Sequence, residues 1–178
     1  MSSANSAILK ISQDYPLFKK VFIYYNLYIR NFKFFFKSSQ SQFDEDKKII
    51  KLFNKNEKGF YLDVGCFHPI RQNNTYLLKK LGWKGVNIDL NPLSIELFNV
   101  ARPNDINICA AVSDKKSTST LYFDHSLSSL NTISKKHTFF LKKAFGLNKL
   151  KKRKIKTNTL TNILKKNKIR KIDFMNID

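Results

Sequence analysis

Apolar and polar positions change period repeatedly along residues 59–178, from the alternation of a strand to the three-to-four spacing of a helix. The predicted strands are 59–65, 85–89, 105–112, a short 118–123, a short 154–157 and 172–178. The predicted helices are 46–56, 74–81, 91–101 and 159–167, the third of them starting at Asn91 as N-cap with Pro92 in the first helical position. Strands that alternate with helices predict an α/β fold with a parallel sheet. The apolar last strand is predicted to be buried in that sheet.

The N-terminal part of the chain has a different pattern. Residues 17–37 show apolar side chains at helical spacing, and a narrow stripe carries Lys19, Asn26, Arg30, Lys33 and Lys37. The uninterrupted apolar stretch is far shorter than the roughly 20 residues that a spanning helix needs. Two interpretations stay open: a helix that packs its broad face on the domain or on another chain, and an aromatic, basic helix in a membrane interface.

The boundaries of the domain follow from the same patterns. The first 16 residues are polar and are predicted to be disordered, and residues 38–45 are a polar break. We therefore predict an N-terminal tail and amphipathic helix over 1–45 and a single domain over 46–178. The first 15 residues lack the apolar core of a secretory signal, so we expect a cytoplasmic protein, with peripheral membrane contact left open.

The net charge is +20, from 33 Lys and Arg against 13 Asp and Glu. Such a balance is typical of proteins that bind nucleic acid or an anionic membrane surface. However, 28 of the basic residues are Lys and only 5 are Arg, and they are scattered through a chain rich in Asn, Ile and Phe. Sequence-specific nucleic-acid binders rely more on Arg. We expect no specific nucleic-acid partner, and both a compositional bias of the genome and an anionic membrane or glycan surface remain as explanations.

The segment 62–69, L-D-V-G-C-F-H-P, is the best candidate for chemistry. Ligands of doubly wound sheets bind outside the carboxyl ends of the strands, where Gly65 permits a close backbone approach and Asp63 places a carboxylate. Asp89 ends the next strand, 24 residues after Gly65, where an acid can accept the hydroxyls of a ribose. The loop has neither the glycines of a dinucleotide fingerprint nor a P-loop lysine. It therefore favours an adenosine cofactor without phosphates, such as S-adenosylmethionine.

Residues 62–92, LDVGCFHPIRQNNTYLLKKLGWKGVNIDLNP, resemble the N-terminal signature of FkbM-family methyltransferases. The matching features are D-V-G, the His-Pro pair, N-T-Y, the G-W-x-G turn, the acid that closes the second strand and the following N-P. Residues 102–114 and 158–178 resemble later blocks of the same family, in the same order. The resemblance implies a Rossmann-like methyltransferase sheet and S-adenosylmethionine-dependent O-methylation of a small-molecule or glycan hydroxyl, in a sugar or a secondary metabolite.

The resemblance also implies roles for particular residues. Asp63 and Gly65 would contact the methionine part of S-adenosylmethionine, and Asp89 would hold its ribose. Leu90 and Asn91 would border the adenine, with Ser113 and Asp114 near its edge. Asn74 and Thr75 match the family's N-T pair, which would cap the helix after the first strand, beside the cofactor. Asp178 is the candidate catalytic base. No metal site is expected.

Several of these residues have simpler interpretations. Asp63 and Asn74 would also serve to cap a helix or satisfy the turn, and His68 fits a structural role better than that of a general base. Trp83 is expected in the core. Cys66 and Cys109 are expected to be buried thiols. The Lys-rich run 149–156 reads as a solvated loop, with a patch for an anionic acceptor as the alternative.

The end of the sequence departs from the family pattern. There the acid of the fourth strand continues into V-E-G-x-E, whereas this chain ends at Asp178. We therefore expect an incomplete sheet, and a chain that, expressed alone, is insoluble, oligomeric or loosely packed and has no methyltransferase activity. The alternative to an active methyltransferase is a catalytically inactive protein that binds the cofactor or associates with a membrane or glycan.

Overall fold

The parallel sheet predicted from the sequence is present in a computed structural model, which describes residues 16–54, 57–124, 128, 130–147 and 150–178. Four parallel strands lie in the order β3-β2-β1-β7. The bounds of these strands are β1 Phe60–Val64, β2 Lys84–Asp89, β3 Ile106–Cys109 and β7 Phe174–Ile177. The order reverses at β1, because β2 and β3 lie on one side of it and β7 on the other. This is the Rossmann-like α/β arrangement that the sequence predicts.

The second sheet has three strands, in the order β4-β6-β5. Its strands are β4 Ala111–Val112, β5 Ser117–Phe123 and β6 Lys151–Asn158. The predicted single strand 105–112 is therefore wrong, because the strand divides at Ala110. The Ala110 N–H still bonds to the Asp89 carbonyl of β2 (2.9 Å), and the chain then passes to the other sheet. The lysine-rich run is not a loop either, since residues 151–156 belong to β6, although their lysines point to solvent.

The helices overlap the predicted ones, mostly with shorter bounds, except for the helix over Lys135–Phe145, where the sequence predicts none. They are α1 Pro16–Tyr24, α2 Glu45–Ile50, α3 Tyr76–Lys80, α4 Pro92–Ala101, α5 Lys135–Phe145 and α6 Leu160–Lys166. The predicted start of α4 is confirmed, because Asn91 accepts the N–H of Leu93 as N-cap and Pro92 follows it. The predicted helix 46–56 is too long, since it ends at Ile50. No helix of the described residues is long and apolar enough to cross a membrane.

The core lies on both faces of β1. Leu62 and Val64 point to one face, where they pack with Ile163 of α6. Tyr61 points to the other face and packs with Leu78 of α3 and with Trp83, which is buried as predicted. Because side chains alternate along a strand, Asp63 lies on the same face as Tyr61. Two neighbouring positions of one strand therefore meet opposite environments, one apolar and one polar.

The last strand is less buried than predicted. Phe174 reaches the core beside Trp83, but Met175 and Ile177, on the other face of β7, are 45% and 62% exposed. Cys66 is buried as expected, whereas Cys109 is exposed, because it ends β3 at the edge of the four-stranded sheet. The expectation of two buried thiols is therefore wrong for Cys109.

The N-terminal segment is not one continuous α-helix. After α1 the chain forms a π-helix over Tyr25–Arg30 and a 3-10 helix over Phe32–Phe36. Its buried side is narrow: Ile23 and Leu27 pack against Ile70 and against Leu97 of α4. The predicted broad apolar face is mostly exposed, and Asn26 of the predicted polar stripe is buried instead. The predicted disorder of the first 16 residues concerns residues outside the described ranges, apart from Pro16, which begins α1.

Candidate active site

A cavity of about 470 Å³ opens at the carboxyl ends of β1 and β2. This is the point where the strand order reverses, the usual ligand site of open α/β sheets. Its volume lies within the range of about 300–1,000 Å³ that is typical of small-molecule sites. The lining residues are Val64, Gly65, Phe67, residues 88–91, residues 110–112, Ser128, residues 130–134, His137 and Asp178.

Gly65 is the first residue of the turn after β1 and lines the cavity. Its φ is +78°, and its N–H donates to the Ile88 carbonyl (2.8 Å). A Cβ at this position would lie 2.9 Å from the carbonyl oxygen of Asp178. Glycine is therefore favoured at position 65 for two reasons: the positive φ of the backbone, and the short distance to Asp178 at the end of β7.

Asp89 is fixed at the mouth of the cavity by backbone donors. Its Oδ2 accepts the N–H of Phe67 (2.9 Å), and its Oδ1 accepts the N–H of Asn91 (2.8 Å). Burial raises the pKa of the Asp89 carboxyl, and these two hydrogen bonds act in the opposite direction. A carboxylate has about four lone-pair sites, so acceptor capacity remains for hydroxyl groups of a ligand.

Asp63 is absent from the cavity lining and lies behind it. Its side chain is 1% exposed. It accepts hydrogen bonds from Thr75 Oγ1 (2.8 Å) and Asn73 Nδ2 (3.2 Å) at one oxygen and from Asn176 Nδ2 (2.9 Å) at the other. Burial raises the pKa of the Asp63 carboxyl, against the effect of these donors and of Arg102. Its hydrogen bonds join the turn after β1, the start of α3 and β7.

Arg102, directly after α4, is the centre of this buried network, with 1% of its surface exposed. One terminal nitrogen donates to the Tyr61 hydroxyl and to Thr75 Oγ1, both at 2.9 Å. The other donates to the Pro69 carbonyl (2.6 Å) and to Asn73 Oδ1 (2.7 Å). We call Asp63, Asn73, Thr75, Arg102, Tyr61 and Asp105 the Arg102 network, since the Tyr61 hydroxyl also donates to Asp105.

The N-T pair supports the site without a capping bond. Thr75 is the N-cap residue of α3, but no side-chain hydrogen bond caps that helix, because the Thr75 hydroxyl is directed to Asp63. Asn74 donates to Asn176 Oδ1 of β7 (3.0 Å). The expectation that this pair caps the helix is therefore wrong; the pair links α3 to β1 and β7.

The structure brings together five of the ten residues proposed from the sequence. Gly65, Asp89, Leu90, Asn91 and Asp178 all line the cavity. Asp63, Asn74 and Thr75 lie beside it, as described above. Ser113 and Asp114 follow β4, and neither lines the cavity; Ser113 Oγ donates to Asp114 Oδ1 (3.0 Å).

His68 holds the loop of the cavity in place. Its Nδ1 accepts the backbone N–H groups of Ile70 (3.1 Å) and Arg71 (3.0 Å), so its proton lies on Nε2, 3.0 Å from Asn26 Oδ1. Burial, followed by nearby arginines, lowers the pKa of His68 to about 3. The imidazole is therefore neutral and fully engaged, which fits a structural role, and it ties the N-terminal segment to the loop.

The sequence assigns no role to some of the lining residues. Phe67 has a φ of +53°, and its backbone N–H donates a hydrogen bond to Asp89. Residues 130–134 and His137 cover the cavity from a segment without a clear periodic pattern. One available signal there is Ser134, which accepts the N–H of His137 as the N-cap of α5.

Comparison with known proteins agrees with this geometry. The family model described as the methyltransferase FkbM domain matches residues 63–178, about two thirds of the chain. The chain belongs to the FkbM methyltransferase family. The matched range starts at Asp63 and includes the whole cavity lining. No curated protein and no solved structure matches the chain.

The charge of this FkbM cavity is opposite to that of the chain. Among the described residues, its lining contains Asp89 and Asp178 but neither Lys nor Arg, although the chain carries a net charge of +20. Such a lining suits a ligand with cationic groups and does not suit a pyrophosphate, which needs donors or positive charge. S-adenosylmethionine, with its sulfonium and ribose hydroxyls, therefore fits the residues present. No group of three or more potential metal ligands occurs within the described ranges.

Proposed function

We propose that this FkbM methyltransferase binds S-adenosylmethionine in the cavity and methylates a hydroxyl of a sugar, glycan or secondary metabolite. The observation that carries the proposal is the acidic lining at the strand ends of a strongly basic protein, in which none of the described lining residues is Lys or Arg. The membership of a methyltransferase family supplies the reaction class.

The Asp89 carboxylate would accept the ribose hydroxyls, because it lies at the end of β2 and two backbone N–H groups fix its orientation. Leu90 and Asn91 would border the adenine, since both follow Asp89 in the lining. Gly65 would leave room for the methionine part. Asp63 would act indirectly, by holding the turn that contains Gly65 from behind.

The cofactor supplies an activated methyl group for transfer to an acceptor oxygen. The residues of the chain have to exclude water, align the acceptor and take up its proton, since an alcohol is a weak nucleophile. Asp178 is the proposed base, because it lines the cavity directly after β7. The proton of the acceptor hydroxyl would pass to its carboxylate as the new oxygen–carbon bond forms.

Calorimetric titration with S-adenosylmethionine tests the cofactor site. Asp89→Ala should weaken binding about tenfold or more, because the loss of a buried acceptor leaves partners unpaired at a cost of about 1–3 kcal/mol. Glu57→Ala is the control, since it removes an exposed carboxylate that does not line the cavity. Equal affinities of wild type and Asp89→Ala would remove the cavity from the proposal.

A further inference from the structure

The N-terminal segment, residues 16–37, exposes an unusual amount of apolar surface. Ile29 is 68% exposed and Phe36 76%, although the segment is anchored to the domain on its other side. The exposed large apolar residues of the segment are Leu17, Phe18, Val21, Tyr24, Tyr25, Tyr28, Ile29, Phe32 and Phe36. Nine such residues in 22 exceed the scattered exposure of ordinary surfaces and mark an interaction surface.

The aromatic side chains of the segment are organised among themselves. The Tyr24 and Tyr28 rings stack at 6.0 Å, and Phe32 meets Phe36 edge-on at 5.0 Å. Amphipathic Tyr rings and large apolar side chains are the residue types that settle at the boundary between head groups and acyl chains. The segment thus presents a preformed aromatic surface and does not need to fold on binding.

The charge of the segment decides between possible partners. It contains Lys19, Lys20, Arg30, Lys33 and Lys37 and no acidic residue. Lys19 pairs with Glu96 of α4 (2.5 Å), while the Lys37 ammonium lies 4.8 Å from the centre of the Phe34 ring. A second copy docked on the same face would oppose Lys20, Arg30, Lys33 and Lys37 with the same four positive charges. An anionic surface would neutralise them.

We propose that residues 16–37 dock the protein on the surface of an anionic lipid bilayer, with the aromatic side chains in the interface and the basic ones at the head groups. The segment lies on the membrane and does not cross it. The buried contacts of Ile23 and Leu27 keep it attached to the methyltransferase domain during binding. The proposal is independent of the cofactor and of the methylated acceptor.

Co-sedimentation of the full chain with vesicles tests the docking. Binding to vesicles of phosphatidylcholine and phosphatidylglycerol should exceed binding to phosphatidylcholine alone by about tenfold or more, and should fall as salt is raised. The double substitution Ile29→Ser/Phe36→Ser should reduce binding by about tenfold or more. Phe43→Ser/Leu52→Ser is the matched control, because these side chains are 72% and 75% exposed outside the segment. The control should bind as wild type does.

Two double charge reversals test the electrostatic contribution to vesicle binding. Lys20→Glu/Lys37→Glu should lower binding to the anionic vesicles about tenfold or more, whereas Lys116→Glu/Lys165→Glu, which changes the net charge equally at exposed positions, should have a small effect. Circular dichroism and thermal melts confirm that each variant is folded. Equal losses in both charge variants would indicate attraction by net charge alone and would overturn the proposal.

Two further outcomes would also overturn it. The first is a wild-type protein that does not sediment with anionic vesicles. The second is a dimer, detected by analytical ultracentrifugation without lipid, that Ile29→Ser/Phe36→Ser converts to monomers while vesicle binding is unchanged. That result would assign the surface to a contact between two copies.

Discussion

Two aspartates that look equivalent in the sequence have different surroundings in the structure. Asp63 and Asp89 both occur near the carboxyl ends of parallel strands. Asp89 lies in the cavity lining with spare acceptor capacity, whereas Asp63 is enclosed by Thr75, Asn73 and Asn176. Strand position predicts the edge of the sheet on which a side chain lies, but the partners of Asp63 come from residues up to 113 positions away. Sequence spacing alone cannot reveal such partners.

The neutral state of His68 makes stability depend on pH. The pKa of His68 is lowered to about 3 in the folded protein, against about 6.5 in an unfolded chain. The stabilisation is therefore present above pH 6.5 and is lost as the pH falls from there towards 3. Between pH 7.5 and 5, wild type should lose about 2 kcal/mol more stability than His68→Asn, whose amide oxygen can replace Nδ1 as acceptor but does not titrate. Urea unfolding at the two pH values measures this difference.

The matched control for this prediction is His137→Asn. His137 is exposed at the start of α5, so its replacement should leave the pH dependence of the wild type in place. If His68→Asn retains the full loss of stability at pH 5, the buried imidazole is not the group that senses the pH.

At the scale of elements, the helix starts that carry local signals are predicted best. The Asn91-Pro92 pair fixes the start of α4 because its N-cap and first-turn preferences act within a few residues. The N-terminal segment carries a clear helical period, yet it changes to a π-helix at Tyr25. This winding accompanies the burial of Asn26 beside His68, a contact between residues 42 positions apart. Tertiary hydrogen bonds of this kind override the local periodicity.

The turn after β1 packs against the end of β7 through Gly65 and Asp178. Gly65→Ala should lower the free energy of unfolding by about 2–4 kcal/mol, from roughly 1–3 kcal/mol of backbone strain plus displacement of the β7 end. The added Cβ would lie 2.9 Å from the Asp178 carbonyl oxygen. Cofactor affinity should fall as well, because β7 carries Asp178 into the cavity lining. Urea unfolding and calorimetric titration measure the two effects.

Substitution at Gly146 is the control that separates the strain of a positive φ from the steric clash with Asp178. It also has a positive φ, +64°, but a Cβ there would have nothing within 4 Å. Gly146→Ala should therefore show the strain alone and leave cofactor binding unchanged. Equal destabilisation by the two substitutions would mean that β7 does not press on the turn after β1.

For the whole molecule, the sequence predicts the alternating order of elements and the edge of the sheet where the cavity opens. It does not predict that the chain divides into two sheets at Ala110, because the segment 105–112 is rich in Ile, Ala and Val and contains neither Gly nor Pro. It also gives no sign of the Arg102 network. Arg102 follows α4, where a basic residue is an ordinary helix-end feature, and its partners come from β1, the following loop and α3. The burial of the Arg102 guanidinium depends on contacts from all these elements, so no single element predicts it.

The Arg102 network should contribute a large part of the free energy of unfolding of the whole fold. Arg102→Ala removes the donors to Tyr61, Thr75, Asn73 and the Pro69 carbonyl. Each buried oxygen left without a donor costs about 1–3 kcal/mol, and the variant also loses the positive charge that favours the ionised form of Asp63. Because a domain is stabilised by only about 5–15 kcal/mol, the variant should be marginally folded in urea titrations. Arg153→Ala, at an exposed position of β6, should change stability by less than about 0.5 kcal/mol.

Arg102→Met distinguishes the loss of charge and hydrogen bonds from the loss of volume. Methionine fills much of the space between the Tyr61 and Phe98 rings, which lie 5.8 and 5.0 Å from the guanidinium carbon, but it donates no hydrogen bond. If the network acts through its hydrogen bonds, the methionine variant should be nearly as unstable as the alanine variant. Burial raises the pKa of the Asp63 carboxyl, and the lost cation no longer favours its ionised form. The methionine variant should therefore lose more stability than wild type as the pH rises above about 4, the pKa of an aspartate in an unfolded chain. A methionine variant as stable as wild type at pH 7.5 would show that Arg102 serves mainly to fill space.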